Sequence, residues 1–347
     1  MTTLLPRARL AELLERCGSL AIGVLGDYAL DSYWTADMAR AELSREAPLY
    51  NRPIVRERYT PGGAANVAWN AAALGADVHA LTVLGGDWRG DLLRHALREA
   101  GVRLEGALTG DGWATPLFGK VLLSGHGHEQ EDARLDFVNT QPLPAAAEGD
   151  LLAAVQALLP RLQAVIVADY SPVGVVTPHL REALSDLAAS TPKVVFMADS
   201  RHDPAALAHM ALKPNEVEAA RALFPGRDAA AVTPEELAAA APTLVARAGR
   251  PVYITLGGRG CLVCTPGGAT YLPAVPADAP SDPVGAGDTF VAAAAAALAA
   301  GATPTEAGQL ASLAAAVTVR KLRVTGTATP AEILARYDAL PQAAPWP

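Results

Sequence analysis

Short apolar segments alternate with amphipathic helical segments along most of the chain. The predicted strands are apolar on both faces and lie at residues 21–26, 78–84, 164–168, 194–198 and 252–256. The predicted helices occupy residues 64–74, 91–100, 151–158, 178–189, 216–223 and 235–248. Strands of this kind belong in a parallel sheet that helices cover on both sides, so the sequence predicts an α/β fold with a mostly parallel central sheet.

Two half-polar regions do not fit that sheet. Residues 54–59, 117–123 and 134–138 include alternating apolar and polar side chains, which is typical of strands with one exposed face. We therefore expect a small antiparallel β lid that stands off the main sheet, with strands from about 33–60 and 113–138. No internal repeat or low-complexity linker divides the sequence, so we expect a single domain over residues 1–347.

Composition disfavours several classes of function. The formal net charge is −8 and no long basic run occurs, which argues against nucleic acid as a partner because duplex binding depends on Lys and Arg. No apolar run reaches membrane-spanning length. Leu10, Leu13 and Leu14 lie at helical spacing among charges, which is typical of a surface helix and not of a signal peptide. We expect a cytoplasmic protein without a membrane partner.

The cysteine and histidine pairs favour structural roles. Cys261 and Cys264 form a CxxC, but they lie in a predicted strand, where positions three apart face opposite sides. No second Cys/His pair stands at zinc spacing. His126 and His128 are flanked by glycines between strand-like runs, which predicts a hairpin tip and not a metal site.

Small residues followed by an acid lie at the predicted start of an alanine-rich helix. The segment reads DPVGAGDT over residues 282–289. Glycines let the backbone approach a ligand closely, and the first amides of a helix have no partners within it, so phosphate can be held here. The carboxylate of Asp288 would repel phosphate, but it is suited to take a proton from the group that attacks it. The segment therefore predicts a phosphoryl-transfer enzyme.

Further polar motifs follow predicted strands, where the ligand sites of parallel sheets lie. They are Gly26-Asp27 with Asp31 after the first strand, GGAAN at 62–66, KPNEVE at 213–218 and TLGGRG at 255–260. Taken singly, such motifs are more often ordinary turns than sites. Their joint order along the chain, ending in GAGD, is far more specific for a ligand site than any one of these motifs.

Two longer segments, PGGAANVA at 61–68 and DPVGAGDTF at 282–290, resemble the two signatures of the PfkB family of ribokinase-like carbohydrate kinases. The resemblance runs from Gly26 to about Leu334. Within the family, the chain is most similar to the kinases that phosphorylate D-glycero-D-manno-heptose 7-phosphate. The segments behind that likeness are VLGDYALDSYW at 24–34, EAP at 46–48, RLDF at 134–137, KL at 321–322 and TGT at 325–327.

The resemblance implies a fold, a reaction and a role for each matching position. The fold is a ribokinase-like three-layer α/β/α sandwich with a small antiparallel β lid, and the reaction is ATP-dependent, in-line phosphorylation of a sugar or sugar-phosphate hydroxyl. The implied catalytic residues are the base Asp288 and an anion hole at Gly285, Ala286 and Gly287. The implied sugar-binding residues are Asp31, Gly62, Gly63 and Asn66, and the implied ATP-binding residues are Asn215, Glu218, Thr255, Gly257 and Gly260. Glu218 is also implied to hold Mg²⁺ through water, and K⁺ is a further candidate cofactor.

Several positions depart from the family pattern. Pro283 and Val284 replace the residues common before GAGD. Whether this segment forms a loop that binds a monovalent cation is therefore in doubt. Ser312 stands where heptose kinases tend to carry an asparagine near adenine. Residues 171–174 lack a lysine that the most similar kinases carry, which leaves the identity of the substrate open. Three arginines are candidates to bind an anion in place of that lysine, and the alternative is that they are solvated surface residues. They are Arg40, Arg45 and Arg201.

We expect a kinase for a sugar or sugar phosphate, with heptose 7-phosphate as the leading candidate. The alternatives are a kinase for an unphosphorylated sugar or a nucleoside, and a catalytically silent, ligand-binding member of the fold. A dinucleotide oxidoreductase is disfavoured because no GxGxxG follows the first strand. A homodimer through the lid is a candidate assembly. With the sequence ending at Pro347, we expect no nucleotidyltransferase domain of the kind fused to some heptose kinases.

Overall fold

The computed structural model describes residues 4–125, 127–276, 280–322 and 324–340. The strands in these ranges are β1 (Ala21–Gly26), β2 (Tyr28–Asp37), β3 (Ile54–Gly63), β4 (Asp77–Gly85), β5 (Arg103–Gly110), β6 (Leu117–Gly125), β7 (His128–Phe137), β8 (Ala164–Asp169), β9 (Val195–Ser200), β10 (Ala211–Leu212), β11 (Val252–Thr255), β12 (Gly260–Thr265) and β13 (Gly268–Pro273). The helices are α1 (Arg7–Cys17), α2 (Ala64–Ala73), α3 (Trp88–Glu99), α4 (Ala145–Leu158), α5 (Pro178–Ser190), α6 (Glu216–Leu223), α7 (Pro234–Ala248), α8 (Ala286–Ala299), α9 (Pro304–Thr318) and α10 (Pro330–Asp338).

The larger sheet has the strand order β13-β12-β11-β10-β9-β8-β1-β4-β5. Its strands from β11 to β5 run parallel, and β12 and β13 add an antiparallel edge. Side chains of β1 enter different cores, because Ile22 and Val24 lie in one apolar cluster and Leu25 in the other. Buried residues of α1, α2, α3, α8 and α9 complete the first cluster, and those of α4 to α7 complete the second. The predicted three-layer α/β/α arrangement is therefore confirmed.

The helix α8 lies within one layer, in contact with α2 and α9. Its alanines from 292 to 297 are fully buried. Alanine side chains allow neighbouring helices to approach closely, since the distance between helix axes follows the size of the side chains between them. This packing brings the N-terminus of α8 to the edge of the sheet where the parallel strands end.

A second sheet, which we call the lid sheet, has the order β3-β2-β6-β7. Its outer pairings are antiparallel, whereas the central β2–β6 pairing is parallel. The parallel pair arises because the chain returns through β4 and β5 of the larger sheet between these two strands. β2 begins at Tyr28, earlier than the predicted start near residue 33, because Gly26, with a φ of +154°, turns the chain directly out of the larger sheet.

Both faces of the lid sheet's edge strands carry exposed side chains. Ile54 and Val55 on β3 and Leu135 and Phe137 on β7 are about half exposed. Apart from these strands, the large apolar side chains lie mainly in the two cores. No helix in the described ranges is both long enough and apolar enough to cross a bilayer.

Candidate active site

Gly285 begins the site by capping α8 in a left-handed conformation, with a φ of +79°. A Cβ at this position would come within 3.0 Å of Asn66 Nδ2. Both the backbone angle and the close neighbour therefore favour glycine, as the phosphate-site interpretation of this segment requires.

Most of the first backbone amides of α8 have no hydrogen-bond acceptor. Gly285, the N-cap residue, has no side chain that could accept a hydrogen bond from them. The Ala286 amide donates to the carbonyl oxygen of Pro283 over 3.1 Å, but no described residue accepts a hydrogen bond from the amides of Gly285, Gly287 and Asp288. An anion at this point would therefore meet free donors at Gly287 and its neighbours, and Ala286 would join them only if its present bond opened.

Asp288 lies in the first turn of α8 and lines a cavity under the lid sheet. Its Oδ2 accepts a hydrogen bond from Asn66 Nδ2 over 2.7 Å, and its Oδ1 lies 3.1 Å from the hydroxyl oxygen of Tyr170. Burial raises the pKa of the Asp288 carboxyl above its ordinary value, although the bond from Asn66 opposes that rise. A carboxyl with a raised pKa beside an open cavity is suited to accept a proton near neutral pH.

Asn66 contacts Asp288 and is not among the residues that line the cavity. Its position is held by Asn70, whose Nδ2 donates to Asn66 O over 2.9 Å and to Asn66 Oδ1 over 3.2 Å. Thr289 Oγ1 in turn donates to Asn70 Oδ1 over 2.8 Å. The helices α2 and α8 are thus tied together by amide side chains. In this structure Asn66 orients the carboxylate of Asp288, whereas its predicted contact with a sugar hydroxyl stays a prediction.

The cavity under the lid sheet has a volume of about 170 Å³. Its lining residues come from both sheets and from the start of α8, and are Asp31, Tyr33, Gly63, Phe118, Lys120, Arg134, Tyr170, Arg201, Val284, Gly285, Asp288 and Thr325. Asp31 projects from the middle of β2, and burial first, then the nearby Asp288, raises its pKa to about 7. Gly62 lies behind Asp31, where a Cβ would be 2.6 Å from the carboxyl carbon.

Three cationic side chains converge on the same cavity. Lys120 comes from β6, Arg134 from β7 and Arg201 from the segment after β9. The guanidinium of Arg134 lies 5.2 Å from the ring centre of Phe118, and that of Arg201 lies 4.6 Å from the ring centre of Tyr170. Arg134 and Lys120 were not predicted as site residues, because their roles depend on the pairing of β6 with β7. Two of these cations already have carboxylate partners outside the cavity lining, since Arg134 Nε lies 2.8 Å from Asp136 Oδ1 and Lys120 Nζ lies 3.6 Å from Glu131 Oε2. The cavity suits a ligand that carries hydroxyls and negative charge, provided that its anionic group shares or displaces these partners.

A second cavity of about 600 Å³ opens on the other side of the α8 start. It is lined by Asn215, Glu216, Val217, Thr255, Gly257, Gly258, Gly260, Ala274, Val275, Ser281, Pro283, Ala286, Gly287, Phe290, Ser312, Ala315, Ala316 and Val319. The predicted nucleotide residues Asn215, Thr255, Gly257 and Gly260 are therefore brought together here, at a distance from one another in sequence. Ala286 and Gly287 line the same cavity, so it meets the free amides of α8.

Glu218 does not line this cavity in the structure. Instead it forms a capping box with Asn215 at the start of α6: its Oε2 accepts the Asn215 amide over 2.8 Å, and Asn215 Oδ1 accepts the Glu218 amide over 2.9 Å. Burial raises the pKa of Glu218 above its ordinary value. No residue in the described part of the chain donates a hydrogen bond to Glu218 Oε1. This carboxylate oxygen is therefore available to a water-coordinated Mg²⁺, which binds oxygen ligands.

An ion pair that the sequence reasoning did not predict lies behind Asp288. Lys213 Nζ is 3.0 Å from Asp199 Oδ2, and both side chains are almost fully buried. The hydroxyl of Tyr170 lies 2.9 Å from the same Asp199 Oδ2. Tyr170 follows β8, Asp199 lies in β9 and Lys213 follows β10, so all three sit where adjacent parallel strands end. Ligand sites of parallel sheets lie at the carboxyl ends of the strands, and this position was the one sequence signal that could have indicated these three residues.

The cysteine pair faces opposite sides of the sheet, as predicted. Cys261 belongs to one apolar cluster and Cys264 to the other, and both are buried free thiols. His126 lies outside the described residues, while His128 begins β7 after the turn. In the described ranges, no group of three or more His, Cys, Asp or Glu side chains is arranged to hold a metal ion.

The sequence model of the pfkB family carbohydrate kinases matches residues 35–332. The chain is 32% identical over 330 residues to the bifunctional protein HldE of Desulfatibacillum aliphaticivorans, covering 93% of this chain and 64% of that protein. It is 35% identical over 334 residues to the bifunctional protein HldE of Caulobacter vibrioides, covering 94% and 65%. The chain therefore spans less than two thirds of the length of these curated relatives.

Solved structures share the fold at low sequence identity. An Arabidopsis thaliana ribokinase complexed with ribose and ATP has a TM-score of 0.69 and 20% identity, over 92% of this chain and 98% of that one. Escherichia coli phosphofructokinase-2 in complex with potassium has a TM-score of 0.70 and 21% identity, over 92% and 98%. At these identities the likeness concerns the fold alone.

Proposed function

The chain belongs to the PfkB family of carbohydrate kinases, and we propose that it phosphorylates a sugar phosphate of the heptose 7-phosphate type with ATP as the donor. As a member of that family it is a phosphotransferase with an alcohol group as acceptor. The finer proposal concerns which alcohol it takes. That choice depends on the cavity under the lid sheet, where the acceptor would lie against Asp288.

One observation supports a phosphorylated acceptor: Lys120, Arg134 and Arg201 line the cavity that Asp31 and Asp288 also line. A neutral sugar needs hydrogen-bond partners such as Asp31, but it does not need three cations. A phosphate monoester carries between one and two negative charges near neutral pH, and guanidinium groups bind phosphate through paired, charge-assisted hydrogen bonds. The HldE relatives are consistent with a heptose phosphate, at the moderate identity of 32–35%.

The proposed reaction uses the side chains in the following way. Asp31 accepts hydrogen bonds from ring hydroxyls, and Gly63 lets the backbone approach the sugar. Asp288, oriented by Asn66, takes the proton of the attacking hydroxyl. The amides at the start of α8, those of Gly285 and Gly287 with Ala286, hold the transferred phosphoryl group.

ATP is proposed to occupy the 600 Å³ cavity along Thr255, Gly257 and Gly260. Mg²⁺, when bound, neutralises the charge of the phosphates, and Glu218 with Asn215 would hold it through water. The lid sheet would exclude water from the transferred group, which limits loss of phosphate to hydrolysis. Loss of turnover on chelation of Mg²⁺, and turnover compared in K⁺ and Na⁺ buffers, would test the two ions.

The substrate proposal is tested by comparing matched acceptors. Purified protein with ATP and Mg²⁺ is assayed against heptose 7-phosphate and the same heptose without phosphate, and then against hexoses, pentoses and nucleosides. We expect turnover to be fastest with the phosphorylated heptose. Faster turnover of a neutral sugar or a nucleoside would support the alternative kinase, and absence of turnover with every acceptor would support a silent, ligand-binding member of the fold.

Variants of the cationic residues sharpen that test. Because hydrogen bonds to charged groups contribute about 1.5–3 kcal/mol each, Lys120→Met and Arg134→Met should each raise KM for the phosphorylated acceptor by roughly 10- to 10²-fold. KM for the unphosphorylated sugar should change little. Lys193→Met, at an exposed site remote from the cavity, is the matched control. Equal effects on both acceptors would contradict the assignment of these cations to phosphate.

We also propose a homodimer through the lid sheet. The half-exposed apolar side chains of Ile54, Val55, Leu135 and Phe137 on its edge strands support this assembly, because an interface would remove them from water. Light scattering measures the mass in solution, and Phe137→Glu should shift it from two chains to one. A monomeric mass for the unmodified protein would refute the proposal.

A further inference from the structure

Asp27 lies where the chain passes from the larger sheet into the lid sheet. It is the single residue between β1 and β2, and it is almost fully buried. Its carboxylate accepts three backbone hydrogen bonds: Oδ2 from the amides of Tyr170 over 2.9 Å and Ser171 over 2.8 Å, and Oδ1 from the amide of Val175 over 2.7 Å. These donors belong to residues 170–175, which follow β8 and which we call the β8 loop. One side chain therefore holds both ends of this loop.

The charge and the packing of Asp27 suit this contact. Burial raises the pKa of its carboxyl to about 6, although the three amides oppose that rise. At pH 8 the carboxylate is therefore ionised, and hydrogen bonds to an ionised acceptor are stronger than those between neutral groups. A Cβ on Gly174 would lie 2.2 Å from Asp27 Oδ1. Gly174 has no left-handed backbone angle, so a glycine is needed here to admit the carboxylate.

The β8 loop begins with Tyr170, which borders the proposed base. Tyr170 lines the cavity under the lid sheet, and its hydroxyl oxygen lies 3.1 Å from Asp288 Oδ1. Asn66 donates to the other oxygen of that carboxylate over 2.7 Å. The two contacts together fix the plane of the Asp288 carboxylate, which sets the direction in which it can accept a proton. The guanidinium of Arg201 lies 4.6 Å from the ring centre of Tyr170, so a shift of the loop would also remove the support of this cation.

The backbone of Asp27 supports the Asn66 contact as well. Its carbonyl oxygen accepts the amide of Ala64, the first residue of α2, over 3.0 Å. A Cβ on Gly63 would lie 2.5 Å from this oxygen, and Gly63 has a φ of +55°, so both space and backbone angle require glycine there. A change of the Asp27 side chain keeps this backbone bond. Such variants therefore disturb the Tyr170 contact of Asp288 and spare the Asn66 contact.

We propose that Asp27 is a positioning residue of the kinase reaction, which places the Tyr170 hydroxyl against Asp288 by holding the backbone of the β8 loop. Gly26-Asp27 followed a predicted strand as a candidate polar motif, but Asp27 does not line the cavity under the lid sheet. It acts on the base from behind. A misplacement of about 1 Å can lower a rate about 10²-fold even when the change is remote from the reacting atoms. The inference rests on the proposed function in taking Asp288 as the base.

A double-mutant cycle tests this role. ADP release is measured at pH 8 with the acceptor that the unmodified protein phosphorylates fastest. Asp27→Asn keeps the shape of the side chain, but its amide nitrogen cannot accept a hydrogen bond, so at least one loop amide loses its partner. We expect kcat to fall roughly 10- to 10²-fold, while the affinity for AMP-PNP, an ATP analogue that resists hydrolysis, stays within about 2-fold by calorimetry. Tyr170→Phe should lower kcat about 10-fold, and the double variant should be no slower than Asp27→Asn, because Asp27 acts through Tyr170.

Two further variants control for loss of structure. Asp87 also holds two backbone amides, those of Gly90 over 2.8 Å and Thr115 over 2.9 Å, but neither residue lines the cavity under the lid sheet. Asp87→Asn should therefore keep kcat within about 2-fold. Gly174→Ala disturbs the same contact from the side of the loop, since its Cβ would displace the Asp27 carboxylate. It should lower kcat as Asp27→Asn does, and it takes the place of that variant in the cycle if Asp27→Asn does not fold.

Hydrogen exchange of the amides of Tyr170, Ser171 and Val175 measures the anchor without turnover. These amides should be protected in the unmodified protein and should exchange about 10-fold faster or more in Asp27→Asn or Gly174→Ala. Fast exchange in the unmodified protein, unchanged kcat in both variants, or losses that multiply in the double variant would overturn the inference and leave the proposed function intact. Absence of turnover with every acceptor would refute the proposed function, and faster exchange in the variants would then support the anchor alone.

Discussion

Gly62→Ala tests how the backbone of β3 supports the acceptor site. The added Cβ would lie 2.6 Å from the carboxyl carbon of Asp31 and 3.0 Å from its Oδ2. Carbon atoms pack best at about 3.5–4.0 Å, so the carboxylate must move by roughly 1 Å. Gly62 has no left-handed backbone angle, so the substitution adds a steric conflict without backbone strain.

The displacement sets the expected magnitude. A hydrogen bond lengthened by roughly 1 Å is effectively lost, since protein hydrogen bonds end near 3.2 Å. Loss of one or two bonds from the Asp31 carboxylate to sugar hydroxyls costs about 3 kcal/mol. We therefore expect KM for the sugar to rise about 10²-fold, while the affinity for AMP-PNP stays within about 2-fold.

The assay combines steady-state kinetics for the sugar with calorimetry for AMP-PNP. Asp31→Ala should show a similar loss, and the double variant should lose no more than Asp31→Ala alone, because Gly62 acts through Asp31. Gly149→Ala is the control, since a Cβ there meets nothing within 4 Å on the surface of α4. Additive losses in the double variant, or an equal loss of AMP-PNP affinity, would refute this reasoning.

Three further predictions concern the base, pH and stability. Asp288→Asn should lower turnover roughly 10²- to 10⁴-fold and keep AMP-PNP affinity by calorimetry; unchanged turnover would remove Asp288 from the mechanism. Because the pKa of Asp31 is raised to about 7, protonation below that pH removes its negative charge, so KM for the sugar should rise as pH falls through 7 and stay flat in Asp31→Asn. Arg181→Met leaves the buried carboxylate of Asp169 without the guanidinium 3.0 Å away and should lower the free energy of unfolding by about 3 kcal/mol in urea titrations; a change below about 1 kcal/mol would contradict this.

Local sequence patterns were enough to predict the layers and a helix next to the segment at 282–289, although the helix was predicted to begin after that segment and α8 begins within it, at Ala286. The strands around residues 21–26 and 164–168 are apolar on both faces, and that pattern alone requires cover on both sides of the sheet. Gly285 is needed for its backbone angle, which depends on its own lack of a side chain. The strand β5 was missed, because its mixed side chains, Arg103 and Glu105 among them, do not form a buried run.

The partners of Asp288 were decided by tertiary structure. Asn66 was predicted for the sugar, a contact that stays a prediction, and α2 packs beside α8 so that the Asn66 amide also bonds the carboxylate of Asp288. Asp199 lies in β9, whereas Tyr170 follows β8 and Lys213 follows β10. Their contacts exist because β8, β9 and β10 are neighbours in the sheet. A hydrogen bond or an ion pair depends on distances of a few ångströms, which periodicity and spacing along a chain do not specify. The sequence by itself therefore determined where backbone could bind phosphate, and only the folded sheet determined which charges surround it.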